Sequence, residues 1–276
     1  MPELPEVETY RRYFEATSLH QVIEAIEVED SKLLTTDYAT LTEALIGACF
    51  VQTQRVGKNL FVTTDQGPIL RFHFGMTGDL EYYHSSISRP RHARIVFIFR
   101  SGFNLGFICP RKFERIALVE DIPTFLKEKK IAPDALTISL EQLNHNIRQK
   151  KSMIKPILLD QSTVAGIGNW IVDDVLFQAK IHPERLSQSL SNEEVERIFF
   201  AIRLVLETAI EQEANYGMFP KSFLIHAREW APSPYEEALR HRLCPCGKVE
   251  IQQSQVGGRT TYFCPLCQTI PSNNRK

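Results

Sequence analysis

The feature that most constrains the fold of this chain is a change of sequence pattern near residue 120. Residues 21–120 consist of short runs rich in β-branched and aromatic residues, separated by Gly, Asp and Ser. Such regular short runs predict an antiparallel sandwich or barrel. One short helix is expected among them, beginning near position 41 with LTEALIG. From about 135 to 225 the apolar residues recur at helical spacing, most clearly in SNEEVERIFFAIRLVLETAIEQ, where Ser191 or Asn192 is the expected cap.

The pattern predicts an α+β chain with two domains, and 276 residues are enough for two cores. We expect an N-terminal antiparallel β domain, a sandwich or a barrel, over 1–120, a linker over 121–135, a helical domain over 136–239, a cysteine ribbon over 240–270 and a tail over 271–276. No window reaches the roughly 18 apolar residues that a membrane helix needs, and the acidic start is unlike a signal peptide. The expected location is the cytoplasm, in association with the nucleoid, if the source is bacterial, and the nucleus if it is eukaryotic, with no membrane partner.

Four of the six cysteines lie within residues 244–267. In a chain of this length with no export signal, metal binding explains such a cluster better than disulfides do. Two knuckles joined by a hairpin are typical of a zinc ribbon, and thiolate-rich tetrahedral sites favour zinc. Only Pro245 separates the first pair, which is tighter than usual, so His241 is an alternative ligand. The expected ligands of one structural Zn2+ are Cys244, Cys246, Cys264 and Cys267.

Basic residues are concentrated in two zones of a chain whose net charge is only −1. Residues 88–115 hold seven Arg or Lys against one acid, and residues 240–276 hold six against one. This distribution suits a protein that contacts a polyanion over part of its surface. Solvated surface charge explains the same counts without any partner.

The first ten residues, MPELPEVETY, are more strongly specified than a chain terminus usually is. Apolar residues at helical spacing predict a helix through about position 15. Pro2 suits the first helical position, and acids in the first turn complement the helix dipole. A helix start alone does not account for the terminal sequence.

Eight motifs occur in order along the chain: MPELPEVET, RVGKNLF around Lys58, HFGMTG at 73–78, CPRKF at 109–113, IKPILLDQ at 154–161, GIGNW at 166–170, IHP at 181–183 and GGRTTYFCPLCQ near the end. Together they resemble the formamidopyrimidine-DNA glycosylases of the Fpg/Nei class. The resemblance implies a bifunctional DNA glycosylase and abasic-site lyase, a monomer that acts on double-stranded DNA containing oxidised bases or abasic sites. It also implies an N-terminal β-sandwich that carries the first helix, and a helix–two-turn–helix domain with a zinc ribbon, with DNA in the cleft between them.

The resemblance assigns the first residues to chemistry. Once Met1 is removed, Pro2 has a free secondary amine, and α-amino groups titrate near pH 8, so a useful fraction is neutral. Its attack on the sugar C1′ would expel the base and give a cationic iminium, an electron sink for β-elimination. Glu3 would protonate the sugar ring oxygen, with its pKa raised by Glu6, Glu8 or burial. Glu6 itself is expected to be mainly structural.

Four further positions match family residues at the phosphates or at the lesion. Lys58 would contact phosphate and assist β-elimination, and Arg259 would clamp phosphates and assist δ-elimination. Without the resemblance, Arg259 could also be an ordinary exposed arginine in a turn. Asn169, in the turn GIGN, would bind the DNA backbone at a helix N-terminus. Lys155 is a further candidate at the lesion.

Another group of matches concerns the duplex around the lesion. A flipped base leaves a gap in the base stack. Met76, Arg111 and Phe113 match the residues that fill this gap in the family, which together are called the wedge. The glycines around Met76 predict a turn that presents it outward. His92 and Lys150 match positions that contact DNA, although a solvated lysine explains Lys150 equally well.

The chain also departs from the family pattern. Cys109, Lys112 and Glu114 replace the usual acid, Arg and Gly, and Lys for Arg loses bidentate geometry. Residues 215–242 replace a glycine-rich loop that caps 8-oxoguanine in many relatives, and they resemble the plant and fungal branch. We therefore expect a preference for formamidopyrimidines and hydantoins, with 8-oxoguanine as a further candidate substrate.

Two other functions remain open at this point. One is an endonuclease VIII-like glycosylase for oxidised pyrimidines, against which the wedge motifs HFGMTG and CPRKF argue. The other is a non-enzymatic damaged-DNA-binding protein, which would not need Pro2, Glu3, Lys58 and Arg259 together.

Overall fold

The computed structural model describes residues 2–228 and 243–270. By its internal contacts the chain divides into unit 1, Met1–Lys130, and unit 2, Ile131–Lys276. Residues 229–239 of the expected helical domain, the alternative ligand His241 and the tail at 271–276 lie outside the described residues. Within the described residues, no helix is long and apolar enough to cross a membrane.

Unit 1 is a β-sandwich preceded by a helix, α1 (Leu4–Ser18). Its described part contains two antiparallel sheets of four strands, in the orders β1-β6-β7-β5 and β2-β3-β4-β8. The strands are β1 (Ile23–Val28), β2 (Phe50–Val56), β3 (Asn59–Thr64), β4 (Ile69–His73), β5 (Asp79–His84), β6 (Ala93–Phe99), β7 (Phe103–Ile108) and β8 (Arg115–Val119). Helix α2 (Tyr38–Leu45) begins earlier than expected, because Asp37 caps it by accepting from the Thr40 N–H. Helix α3 (Ile122–Glu128) lies in the segment expected to be a linker.

Aromatic side chains from both sheets form the core of unit 1. Phe50 and Phe97, on opposite sheets, have ring centroids 5.8 Å apart, and the Phe72–Phe107 pair is at 5.4 Å. Phe14 of α1 packs edge-on against Phe50 at 5.2 Å. Each buried ring contributes about 1.5–3 kcal/mol of burial free energy. The hydrophobic core therefore fixes the helix whose first turn follows Pro2.

Unit 2 is mainly helical and ends in a β-hairpin. Its elements are α4 (Leu140–Arg148), α5 (Ile154–Leu159), α6 (Asn169–Gln178), α7 (Asn192–Glu211), β9 (Gln252–Val256) and β10 (Arg259–Phe263). Of the two residues expected to cap α7, Ser191 is the cap, and it forms a capping box with Glu194. Single 3-10 turns follow α7 at Tyr216–Met218 and Leu224–Ala227.

Candidate active site

The first residues place Pro2 just outside the helix. Helix α1 begins at Leu4, not at Pro2, and the proline inside its first turn is Pro5. Glu3 is the N-cap and forms a capping box with Glu6, in which the Glu3 backbone N–H donates to Glu6 Oε2 at 3.0 Å. Glu6 thus has the structural role expected for it. Glu3 is only 2% exposed. The structure therefore places a buried acid next to Pro2, whose nitrogen lies outside the hydrogen-bonded helix.

A buried ion network ties α1 to the turn that carries Lys58. The Arg55 Nε donates to Glu8 Oε2 at 3.1 Å, and its Nη1 donates to the Gly57 carbonyl at 3.1 Å. Arg11 also donates to Glu8, at 2.8 Å. Burial alone would raise the pKa of Glu8, but the hydrogen bonds and charges of Arg11 and Arg55 outweigh it and hold that pKa below 4.5. Glu8 is therefore committed to holding the helix against β2 next to Lys58.

A histidine that the sequence analysis did not single out lies beside Lys58. Burial, reinforced by the charges of Arg71, Lys58 and Arg115, lowers the pKa of His73 to about 4. Its Nδ1 accepts from the Gly75 N–H at 3.3 Å, so the neutral ring carries its hydrogen on Nε2. A neutral donor among cationic side chains suits a phosphate oxygen. The only sequence signal was its position as the first residue of HFGMTG.

The two loops expected to form the wedge present apolar side chains to solvent. Met76 is 38% exposed and Phe113 is 51% exposed. The Arg111 guanidinium lies 5.2 Å from the centre of the Phe113 ring, as a cation–π pair. Met76 lies in the turn after β4, exposed as its flanking glycines predicted. His92 lies at the base of the second loop, where its carbonyl accepts from the Cys109 N–H at 2.8 Å.

In unit 2 the GIGN turn leads directly into α6. Gly166 has φ +106°, in the region that favours glycine, and Gly168 is the cap before Asn169. Gln161, which the sequence analysis did not identify, holds this turn by accepting from the Gly166 N–H and donating to the Ile167 carbonyl. Asn169 is the first residue of the helix. Its side-chain Oδ1 is buried and has no hydrogen-bond partner in the part of the chain that the structure describes.

The hairpin that carries Arg259 is seated on a buried ion pair. Arg259 is exposed at the start of β10. Lys155 is fully buried and contacts Asp173 at 2.7 Å, while its Nζ also donates to the Thr260 carbonyl at 3.0 Å. Asn169 Nδ2 donates to the same carbonyl at 3.0 Å. Lys155 was considered as a lesion-site residue, but its burial gives it the role of holding the hairpin.

Lys150 lies on the surface of unit 2 with acidic and polar partners. Its Nζ contacts Asp160 Oδ2 at 2.5 Å and Ser162 Oγ at 2.7 Å. These contacts favour neither of the two interpretations, because an exposed ion pair is weak and readily exchanged for a phosphate. A DNA contact by Lys150 remains a prediction.

The four clustered cysteines come together as the sequence predicted. The Sγ atoms of Cys244, Cys246, Cys264 and Cys267 all lie within 4.8 Å of one another. Backbone N–H groups point at two of these sulfurs, from Cys246 to Cys244 and from Cys267 to Cys264, each at 3.3 Å. The short first knuckle therefore does not prevent the cluster from forming. One metal ion could be held by these four sulfur atoms.

The described residues after α7 pack against α6. The Trp170 ring contacts the rings of Tyr216 at 5.5 Å and Phe219 at 5.8 Å. Asp174 is fully buried and accepts from the N–H groups of Leu224 and Ile225, at 2.6 and 3.0 Å. Burial, opposed by these bonds, raises the pKa of Asp174 to about 7. The segment is thus fixed at both of its 3-10 turns.

Comparison with known proteins gives the same family for matched segments in both units. A model of the formamidopyrimidine-DNA glycosylase N-terminal domain matches residues 1–116, and a model of the H2TH domain of that family matches residues 131–219. A formamidopyrimidine-DNA glycosylase from Pelotomaculum thermopropionicum is 34% identical, over 98% of this chain and 100% of the relative. One from Arabidopsis thaliana is 32% identical, over 98% of this chain and 71% of the relative.

A solved structure is similar over the same extent. It is of a MutM protein in complex with DNA containing carbocyclic 8-oxo-G. It superposes with a TM-score of 0.87 at 29% sequence identity, covering 98% of this chain and 100% of that one.

Proposed function

The chain belongs to the formamidopyrimidine-DNA glycosylase family, and we propose that it excises damaged bases with the Pro2 amine as its nucleophile. Membership makes it a base-excision repair enzyme for oxidised purines, with glycosylase and abasic-site lyase activities. The observation that carries the proposal is the arrangement of the first residues. Pro2 lies just before a firmly anchored helix, next to the buried carboxyl group of Glu3.

The chemistry follows from these two residues after Met1 is removed. The Pro2 nitrogen attacks the sugar C1′, the bond from C1′ to the base breaks, and the base leaves with the bonding electrons and takes up the proton that the nitrogen loses. Glu3 donates a proton to the ring oxygen as the sugar opens, which leaves a cationic iminium between Pro2 and C1′. The iminium makes the hydrogen on C2′ acidic, and that hydrogen leaves as a proton to the solvent. The electrons of the C2′–H bond form a C2′=C3′ double bond, so that the C3′–O bond breaks and the phosphate on the 3′ side leaves by β-elimination.

Basic residues supply the contacts to phosphate. Lys58 and the neutral Nε2 donor of His73 bind phosphate oxygens beside the lesion, and Lys58 assists β-elimination. Arg259, exposed on its braced hairpin, binds phosphate and assists δ-elimination. Asn169 donates from the start of α6, where the helix dipole favours an anion.

The partner is double-stranded DNA that contains an oxidised purine or an abasic site, bound by one copy of the chain. Met76, Arg111 and Phe113 fill the gap left by the extruded base, with Phe113 stacking and Arg111 able to pair with the orphan base. Their exposure on adjoining loops of unit 1 supports this role. His92 and Lys150 add contacts to the DNA backbone.

We propose that the four cysteines hold one structural Zn2+. Tetrahedral bonds of about 2.3 Å from zinc place two sulfur atoms about 3.8 Å apart. The Cys244 and Cys267 sulfur atoms are 3.9 Å apart, which fits. Zinc supplies no step of the reaction here. It would brace the hairpin that carries Arg259.

The segment after α7 supports a preference for formamidopyrimidines and hydantoins over 8-oxoguanine. Its described part is pinned to α6 through Trp170 and Asp174, so it is not free to close over a lesion as a separate flap. A panel of duplexes, each with one lesion opposite cytosine, tests this preference by single-turnover rates. We expect the ring-opened purine and the hydantoins to react fastest. 8-Oxoguanine as the fastest substrate would contradict the preference.

Analysis of strand ends tests the assignment of the elimination steps. On an abasic duplex we expect wild type to leave phosphate at both ends of the gap, which is the product of β,δ-elimination. Arg259→Gln should stop at the β-elimination product, and Lys58→Gln should slow both steps. Arg100→Gln serves as a control, because Arg100 is an exposed arginine at the end of β6. Unchanged products from Arg259→Gln would remove that residue from the mechanism.

A further inference from the structure

We propose that Glu114 is a positioning residue that locks the Met76 turn to the loop of Arg111 and Phe113, and so sets how efficiently the gap in the duplex is filled. The inference rests on the proposed function, because gap filling matters only to an enzyme that extrudes a base. Glu114 itself does not contact DNA, since it is fully buried.

The first observation is that the Glu114 side chain joins the two loops. Its Oε1 accepts a hydrogen bond from the Thr77 hydroxyl at 3.1 Å. Thr77 directly follows Met76, and Glu114 directly follows Phe113. One hydrogen bond therefore connects residues that are adjacent to the two exposed apolar side chains.

The second observation is that the turn at 75–78 packs directly against the Phe113 backbone and the Glu114 side chain. A Cβ atom added to Gly75, whose φ is +56°, would lie 2.7 Å from the Phe113 carbonyl carbon. A Cβ atom added to Gly78 would lie 2.8 Å from the Glu114 Cγ. Both distances are too short for any side chain, so the turn at 75–78 fits around Phe113 and Glu114 only because it carries glycine at these positions.

The second loop is also held from its other side. The Arg115 Nη1 donates to the carbonyls of Lys112 and Glu114, at 3.0 and 2.6 Å. Lys112, in the left-handed region at φ +58°, forms an ion pair with Asp30 at 2.7 Å. With the loop fixed in this way, the Thr77–Glu114 bond decides how the Met76 turn is placed against it.

The third observation separates positioning from stability. The Glu114 Oε2 is buried and has no hydrogen-bond partner among the described residues. A buried polar atom without a partner destabilises the folded state. Glu114→Met removes this unpaired oxygen, and the Thr77 hydroxyl that loses its acceptor is exposed and can bond to water instead. Glu114→Met should therefore leave the fold as stable as before while it uncouples the two loops.

Two measurements on each variant test this. The first is the fluorescence of 2-aminopurine placed next to a stable abasic-site analogue in a duplex, which rises when the wedge unstacks its neighbours. The second is cleavage of single-stranded abasic DNA, which has no gap to fill. Glu114→Met and Thr77→Val remove the bond from its two ends, and Glu114→Gln keeps an acceptor for Thr77. Glu120→Met, which changes an exposed acid just after β8, is the matched control.

One lost hydrogen bond corresponds to about a fivefold to tenfold change in an equilibrium. We expect Glu114→Met and Thr77→Val each to weaken insertion into the duplex by about that factor, and the double variant to be no worse than either. Single-stranded cleavage should stay unchanged, the melting temperature should stay equal or rise, and Glu114→Gln should behave nearly as wild type.

The outcomes distinguish this inference from the function it rests on. Wild-type insertion by Glu114→Met, or an equal loss on duplex and single-stranded DNA, would overturn the positioning role alone. A Glu114→Gln variant as impaired as Glu114→Met would also overturn it. If wild-type protein cleaved neither substrate, the proposed function would fail, and this inference with it.

Discussion

Arg55 provides the most informative perturbation of the unit that carries Pro2. It is 8% exposed at its side chain and bonds both Glu8 and the Gly57 carbonyl, so it joins α1 to the turn before Lys58. Arg55→Leu keeps apolar volume at this position and removes both bonds. We expect α1 and β2 to open more easily and the β-elimination step to slow.

The size of the destabilisation depends on which partners Glu8 keeps after Arg55→Leu. Removing one partner of a buried ion pair costs about 3–5 kcal/mol when the other charge is left alone. Here Glu8 keeps Arg11 at 2.8 Å, which lowers the cost, but two hydrogen bonds of a charged group are lost, at about 1.5–3 kcal/mol each. We expect about 3 kcal/mol of local destabilisation, which corresponds to amide exchange about a hundredfold faster.

Arg12→Leu is the matched control. Arg12 contacts the same Glu8 carboxylate at 3.4 Å but is 48% exposed, so its loss should cost about 0–1 kcal/mol. Amide hydrogen exchange of α1 and β2 is the appropriate assay, because a two-domain protein need not unfold in one step. Equal loss of protection in the two variants would refute the reasoning.

The loss of stability caused by Arg55→Leu should depend on pH in a definite direction. The pKa of Glu8 is lower in the folded protein than in the unfolded chain. The stabilisation that ionised Glu8 gives the fold is therefore fully present at a pH above the ordinary pKa of glutamate, and it is lost as the pH falls through the pKa of Glu8 in the folded protein. The difference between wild type and Arg55→Leu should therefore shrink in acid.

Three further predictions concern unit 2. Lys155→Met leaves Asp173 paired, among the described residues, with the more distant Arg228 charge at 3.4 Å. It should lower the free energy of unfolding, followed by tryptophan fluorescence, by about 3 kcal/mol; an unchanged midpoint would contradict the bracing role. Burial raises the pKa of Asp174 to about 7, so Asp174 binds a proton more tightly in the folded protein than in the unfolded chain. The free energy of unfolding should therefore fall as the pH rises from about 4 through 7. Asp174→Asn should abolish that slope in thermal melts, and a slope that persisted would point to another group. Zinc analysis should find one ion per chain, and chelation should weaken binding to abasic DNA without unfolding unit 1; full binding after complete zinc removal would contradict the brace.

Much of the fold follows from local sequence patterns. The division into a strand-rich unit and a helical unit follows hydrophobic periodicity, which neighbouring residues alone determine. Ser191 as a cap and the cysteine cluster were predictable for the same reason, since caps and knuckles are short-range motifs. The domain limits drawn from composition stay a prediction.

The contacts that hold the site were not predictable, because they join residues far apart in sequence. Glu8 meets Arg55 across 47 positions, and Lys155 meets the Thr260 carbonyl across 105. The motif IKPILLDQ made Lys155 a candidate at the lesion, but its burial depends on Asp173 and on the Thr260 carbonyl, which only the fold brings to it. His73 was passed over because its environment depends on charges that only the folded sheet brings together.

The most direct test of the account is borohydride trapping on abasic duplex DNA. It compares wild type with Pro2→Gly and with a chain that retains Met1. The account predicts a covalent adduct in wild type whose DNA is attached to the N-terminal peptide, and no adduct when Met1 blocks the amine. An adduct of equal yield from the chain that retains Met1, or attachment at a lysine, would contradict the assignment of Pro2 as the nucleophile.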